Sequence, residues 1–488
     1  MHDENSVAAF PGQVKRSHDC RLRLLSRVSA AYAALGFSFV FHIWHLMVLP
    51  ILMTWDGIDY ISLSKLFKHA DFFENWRYYR TFGYPLFLSA SFGLFGHNPI
   101  AAQLPNMLYG FGGIALIWLA LFRLGRPVAA ALCTIVLTFY PVLVTFEHAV
   151  LTEMGSFFFL SASVFVLVSA FRRWWIKPCV LAVLFTIAFY HRMTLIYIAP
   201  AAMLICIIQL WGRWRSNTIA PQAPYRTVRI AAVAFGSLAI PMLAAYPFNR
   251  QLYSTGVRSY ADNMTVYGLI KQVVIPPQDM PPGGNRDMYE KAIAGNTHGG
   301  RLDWGGLPQV YMLTIQNPTN DPGLESPLYS FVRLVLKYPG RYLSGIFRSL
   351  IYFAGARSAE DEIGAFAGAV ILNASAGSRL SGVEHEEFEE ARQLYSRPGS
   401  DSIVASGLGF CLKPYRLLLP LGFAISILGL GLALWRRDAL LLSFCAMPLT
   451  LVAFHVLMLI TIGRYVAPAY PLLLANLFIV PSFYLSVR

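Results

Sequence analysis

AAYAALGFSFVFHIWHLMVLPILM, residues 30–53, runs directly into TWDGIDYISLSK, residues 54–65. The first stretch has no acidic side chain, and its only bases are His42 and His45. As a helix rising 1.5 Å per residue it is long enough to cross a hydrocarbon core of roughly 30 Å. The second stretch sets Asp56 and Asp59 just past the end of that run, between Trp55 and Tyr60. Aromatic residues of this kind settle at the headgroup level. Two carboxylates at such a boundary are either wet residues at a helix start, favoured there by the helix dipole, or chemistry held where lipid meets water.

The rest of the chain has the same character. Of its 488 residues 56% are hydrophobic and only 13% charged, where a soluble domain has about a quarter charged. Several further uncharged runs reach membrane-spanning length, and no alternating ten-residue pattern suggests a barrel. Backbone groups in lipid must be satisfied within the segment, so the expected fold is an all-α polytopic membrane protein.

The net charge of +13 follows topology rather than nucleic acid. Lys15, Arg16, Arg21, Arg23 and Arg27 precede the first run, while Arg123, Arg126, Arg172, Arg173, Lys177, Arg213, Arg215, Arg226, Arg229, Arg436 and Arg437 sit in short links. Basic links mark the cytoplasmic side. This sidedness implies about ten transmembrane helices, near 30–53, 100–122, 127–146, 153–171, 178–191, 193–211, 228–248, 414–435, 438–460 and 464–485. The count becomes twelve if 328–356 and 364–376 also cross. Residues 83–96 are too short to span and read as an interfacial helix in the first outer loop. The segment 328–356, with Arg333, Lys337, Arg341 and Arg348 along it, reads as an amphipathic helix at the interface. The divisions are a cytoplasmic tail (1–29), a transmembrane core with the first two outer loops (30–249), a long outer loop (250–412) and C-terminal transmembrane helices (413–488). The first run exceeds the apolar core of a cleaved signal and reads as a retained span.

Six scattered cysteines give neither a disulfide framework nor a zinc spacing. No GxxxxGK[ST] stretch is present, so nucleotide hydrolysis is not the expected energy source. Glu384-His385-Glu386-Glu387-Phe388-Glu389-Glu390 lacks the second histidine of HExxH and reads as a solvated helix face.

With the basic links inside, the polar residues at the span edges fall on one outer face. They are Asp56 and Asp59, then Glu147, His148 and Glu153, then His191 and Arg192, and lastly Arg464 and Tyr465. Glu147, His148 and Glu153 fit a wet turn between spans, or a contact with substrate. Three potential ligands over seven residues admit a divalent cation without fixing a ligand count, so metal dependence is not predicted. Arg192 could merely snorkel to the boundary. A cation at that depth is costly, however, and guanidinium is suited to bidentate bonds with phosphate.

Several motifs occur in a telling order. Asp56 is followed by Tyr60, then Gly83-Tyr84-Pro85-Leu86-Phe87-Leu88, Leu94-Phe95-Gly96 and Ala101-Ala102-Gln103-Leu104-Pro105-Asn106. Leu151-Thr152-Glu153 comes next, and Ile462-Gly463-Arg464-Tyr465 precedes Pro468 and Pro471. This series resembles the GT-C superfamily of membrane glycosyltransferases, in particular the protein O-mannosyltransferase and aminoarabinose lipid A transferase branch. The likeness covers roughly the first 200 residues and the last 30, and the loop 250–412 lies outside it.

The resemblance implies transfer of a sugar, with inversion, from a polyprenyl-phosphate donor to a hydroxyl or phosphate of a lipid, glycan or protein acceptor outside the cytoplasm. Asp56 matches the family's general base and Glu153 its second outer-loop acid, while Asp59 departs from the pattern. Partial desolvation, with Asp59 nearby, is expected to raise the Asp56 pKa. Arg192 and Arg464, with His191 and Tyr465, are the expected donor-phosphate contacts. Asp59, Tyr60, Tyr84, Glu147 and His148 are the further substrate-binding candidates. No cofactor is implied beyond the divalent cation left open above. A bacterial inner membrane with a periplasmic site is the expected location. The alternative is a transporter or flippase, against which stand the absence of an inverted repeat and of a broken helix pair near mid-span.

Overall fold

The computed structural model describes residues 11–49, 51–52, 55–68, 80–173, 175–215, 268–279, 284–298, 301–302, 327–355, 411–460 and 463–485, with isolated positions between 236 and 246 and at 358. These residues are helical apart from turns and a two-residue ladder, Thr297–His298 with Arg301–Leu302. In chain order the helices are α1 (Pro11–Val48), α2 (Trp55–Leu66), α3 (Gly83–Phe95), α4 (Pro99–Arg123), α5 (Pro127–Thr138), α6 (Pro141–His148), α7 (Glu153–Val168) and α8 (Ile176–His191). After a 3₁₀ segment at Met193–Ile198 come α9 (Ala199–Arg215), α10 (Gly284–Asn296), α11 (Pro327–Lys337) and α12 (Pro339–Ala354). The chain ends with α13 (Tyr415–Arg436), α14 (Ala439–Leu457) and α15 (Tyr470–Leu485).

Among the described residues six helices are long and apolar enough to cross a membrane, or seven if α5 and α6 form one span. The protein is an integral membrane protein. Helices α7 and α8, of 16 residues each, occupy two more of the expected positions but are short for a span. The segments 364–376 and 384–390, and most of 228–248, lie outside the described residues. Helix α1 begins at Pro11, well before the boundary expected at residue 30.

Two expectations change. The run 127–146 is not one straight span, because α5 and α6 meet at a bend of 57°. Pro141 has no N–H for the ladder and disfavours helical backbone in the residue before it, and Tyr140 accordingly sits at ψ 111°. The segment 328–356, expected to lie at the interface as one helix, divides at Tyr338–Pro339.

The bundle packs in a definite order. Helix α4 lies against α7, α1 against α5, and α13 against α14 and α15, with α15 returning to α5. Asn98 caps α4 by accepting from the Ala101 amide at 2.9 Å, and Pro99 takes the first turn, where no N–H is needed. Arg437, in the left-handed region at φ 57°, closes α13, and Asp438 immediately caps α14. The Trp118 indole donates to the Ala31 carbonyl at 2.9 Å and ties α4 to α1.

Two contacts hold the helix ends together on one side of the bundle. The Leu52 amide donates to the His148 carbonyl at 2.7 Å, part of a bridge between Leu52 and Ala149 that joins the stretch after α1 to the stretch after α6. Gly83 lets α3 approach α8, since a Cβ there would lie 2.7 Å from the Tyr190 carbonyl oxygen. Thr81 donates to the His191 carbonyl at 3.0 Å across the same junction. Gly83→Ala is therefore expected to destabilise by about 1–3 kcal/mol through overpacking. Thermal unfolding of the detergent-solubilised protein would register this as a lowered midpoint. An unchanged midpoint would mean that α3 and α8 can part without cost.

Candidate active site

A pocket opens at one end of the bundle, where five separate stretches of chain meet. Asp56 enters from the first turn of α2, Arg80 from just before α3, and Arg464 from the turn Gly463–Val466 ahead of α15. Arg464 Nη1 lies 2.6 Å from Asp56 Oδ2, and Arg80 Nη2 lies 2.6 Å from Asp56 Oδ1. Arg80 also bonds Asp59 Oδ2 through Nη2 at 3.0 Å and Nε at 3.2 Å. Its Nη1 donates to the Tyr60 hydroxyl at 3.3 Å.

The second pair stands opposite. Glu153 opens α7, and Arg192 sits in extended backbone between α8 and the 3₁₀ segment. Arg192 Nη1 is 2.9 Å from Glu153 Oε1 and donates to Thr152 Oγ1 at 3.1 Å. The Tyr465 ring serves both halves, with the Arg192 guanidinium 4.8 Å and the Arg464 guanidinium 5.4 Å from its centroid. Such contacts favour a cation over an aromatic face. His191 lines the pocket wall, and its ring fills the space that a Cβ on Gly155 would need.

Arg80, Arg192 and Arg464 thus balance Asp56, Asp59 and Glu153. The expected rise in the Asp56 pKa is overturned. Burial alone would push the carboxyl up, but the Arg464 and Arg80 guanidiniums outweigh it and hold the group well below the usual carboxylate range. Asp59 does not act on Asp56 as an unshielded like charge, because Arg80 bridges the two. Burial does raise the Tyr60 phenol, which stays protonated at ordinary pH.

Seven of the residues singled out in the sequence line this one pocket: Asp56, Tyr60, Glu153, His191, Arg192, Arg464 and Tyr465. Asp59 stands behind Arg80. Tyr84 is fully buried one layer down, with its ring edge-on to Tyr60 at 5.1 Å and to His191 at 5.4 Å. Glu147 and His148 do not occupy a wet turn. They are 1% and 2% exposed, and α6 carries them away from the pocket toward α1. The bend at Pro141 and the Leu52–Ala149 bridge fix that direction. Arg80, central to the pocket, escaped notice in the sequence. Its signal was its position, since an arginine on the side expected to face outward runs against the positive-inside bias.

The model of the dolichyl-phosphate-mannose-protein mannosyltransferase family matches residues 80–240, about a third of the chain. Among curated proteins no relative matches. Two solved structures resemble the chain weakly, both ArnT from Cupriavidus metallidurans. The form bound to undecaprenyl phosphate is 14% identical, with a TM-score of 0.34 over 91% of this chain and 77% of that one. The apo form is 13% identical, with a TM-score of 0.34 over 91% and 78%. Over residues 80–240, which supply Arg80, Glu153 and Arg192 to the pocket, the chain is similar to the protein mannosyltransferases, and the likeness to membrane glycosyltransferases carried by its motifs is borne out.

Proposed function

We propose that this glycosyltransferase moves a sugar from a polyprenyl-phosphate donor to an acceptor hydroxyl or phosphate at the outer, periplasmic face of a bacterial inner membrane, with inversion. The observation that carries the reading is the meeting of two carboxylates with three arginines in one pocket at the end of an apolar bundle. The matched family is described by a dolichyl-phosphate sugar, a donor of the same chemical kind.

The donor's lipid lies along the spans and its phosphodiester enters among Arg464, Arg192 and Arg80. Guanidinium groups leave their carboxylates for phosphate oxygens, which they bind with charge-assisted bonds. Asp56, relieved of two cations, regains basicity and accepts the acceptor's hydroxyl proton. The acceptor oxygen bonds to the anomeric carbon as the bond from that carbon to phosphate oxygen breaks. The lipid phosphate leaves with its added negative charge stabilised by the arginines. Glu153, once Arg192 turns to phosphate, is free to hydrogen-bond a sugar or acceptor hydroxyl.

This exchange has a consequence in pH. Asp56 has a depressed folded-state pKa, so its charge contributes stability above its unfolded pKa, lost only as pH falls through the lower folded value. Without donor the carboxylate stays ionised below about pH 4, the ordinary carboxyl value. With donor bound, its pKa moves up. The acid limb of kcat is therefore expected at higher pH than that of kcat/KM, since these report the complex and the free enzyme. Coincident limbs would argue against the exchange.

One feature favours a flippase, namely the helix broken between α5 and α6, which the sequence did not suggest. Its polar residues, Glu147 and His148, are nevertheless directed to α1 and not along a path through the bilayer. Purified protein supplied with polyprenyl-phosphate mannose and an acceptor extract separates the two readings. Consumption of the donor supports transfer, and movement across liposomes without consumption supports the flippase.

A further inference from the structure

We infer that His42, His45 and Glu147 form a buried zinc site that fastens the first span to α6. His42 Nε2 lies 3.1 Å from Glu147 Oε1, and His45 Nε2 lies 3.0 Å from Glu147 Oε2. One ligand atom from each residue falls within 4.8 Å of the others. Zinc bound to histidine nitrogen and carboxylate oxygen at roughly 2.0–2.2 Å puts neighbouring ligands about 3.3 Å apart. The two histidines stand one turn apart on a single face of α1, and all three side chains are at most 2% exposed.

The hydrogen-bond partners of the two histidines leave both Nε2 lone pairs available to a metal. His42 Nδ1 is 2.7 Å from the Ser38 carbonyl oxygen, which can only accept, so Nδ1 carries the hydrogen. A neutral His42 then turns the Nε2 lone pair at a carboxylate oxygen, an arrangement that needs a cation between them or a second proton on the ring. His45 Nδ1 meets His148 Nε2 at 2.8 Å, and His148 Nδ1 meets the Gln103 side-chain amide at 3.0 Å. Gln103 Oε1 has no hydrogen-bond partner as placed. Rotating that amide lets the oxygen accept from His148 Nδ1, so that His148 Nε2 accepts from His45 Nδ1. His45 Nε2 is then a lone pair facing the same point as that of His42. Hydrogen bonds of this sort on the far nitrogen orient metal-bound histidines.

The surroundings lead to the same conclusion. His45 Nε2 and both oxygens of Glu147 are buried without a hydrogen bond of acceptable geometry. The ion-pair partners of Glu147 are histidines, which supply no fixed positive charge. A carboxylate buried beside histidines alone is costly unless they are protonated, and a divalent cation removes that cost. Two nitrogen donors favour zinc over magnesium or calcium. Gly110 on α4 leaves room for the carboxylate, because a Cβ there would collide with Glu147 Oε1. The site lies beside the Leu52–Ala149 bridge, so the metal would set the spacing of the loops carrying Asp56 and Glu153.

The test uses full-length protein in detergent, purified without a histidine tag, exposed to Zn²⁺ or Co²⁺ and desalted. The expected result is one metal per chain by mass spectrometry, an intense tetrahedral visible spectrum with Co²⁺, and a lowered melting midpoint after chelation. His42→Gln and Glu147→Gln should each bind at least tenfold less metal while eluting as monodisperse protein. The inference is overturned if wild-type protein holds under a tenth of an equivalent with no Co²⁺ spectrum, leaving an imidazolium–carboxylate pair, or if both variants keep their metal. Should a variant fail to fold, the wild-type Co²⁺ spectrum and the chelation shift decide the question. The site does not depend on the transferase reading, and either can fail alone.

Discussion

Asp56→Asn is expected to reduce donor turnover by about 10²–10⁴-fold, the range for losing a positioned general base, while donor binding is kept or strengthened. The second half of the expectation comes from geometry. Asp56 spans Arg464 and Arg80 at 2.6 Å each, so in the resting protein it competes with the phosphodiester for the same guanidiniums. An amide of the same shape competes less. Single-turnover rates measured beside equilibrium binding of polyprenyl-phosphate mannose would separate chemistry from affinity. A variant that turns over normally removes Asp56 from the proton-transfer step. A variant that has lost binding in proportion to rate makes it a scaffold for the arginines instead.

Arg464→Gln is expected to weaken donor binding about 10- to 150-fold, the equivalent of losing one hydrogen bond to a charged group at about 1.5–3 kcal/mol. It also removes one of the two cations that hold Asp56 down, and Arg464 is the stronger influence on that carboxyl after burial itself. The acid limb of kcat/KM should therefore move to higher pH in this variant, toward that of kcat. The double variant with Asp56→Asn should lose less than the two single losses combined, because the residues share one ion pair. Affinity and limb both unchanged would leave Arg464 a membrane-edge cation with no part in binding.

Much of the fold could be read from hydropathy, because an uncharged run of twenty residues has few places to go except across lipid. The spans at 100–122, 414–435 and 438–460 fall within a few residues of α4, α13 and α14. The α5–α6 bend was not legible because apolar side chains continue past Pro141, and hydropathy does not register a missing N–H. The pocket was legible to the extent that its members sit at span edges, where sidedness alone groups them. Arg80 was hidden in a loop whose return toward Asp56 is a matter of tertiary packing. Glu147 and His148 were misplaced because an edge residue looks wet when its partner lies far away in sequence. The hint was His42 and His45, two bases one turn apart in lipid that needed an answering acid.

The hydrogen bond from His45 to His148 joins residues 103 positions apart. At a synthesis rate of about 5–20 residues per second, the first helix waits roughly 5–20 seconds for its counterpart to be made. Throughout that interval two imidazoles are presented to the translocon or to lipid with no acid beside them. Ribosome pausing or slow codons between the two segments would lengthen the wait, and early release of the first helix into the bilayer is the step at which biogenesis of this protein is most exposed to error.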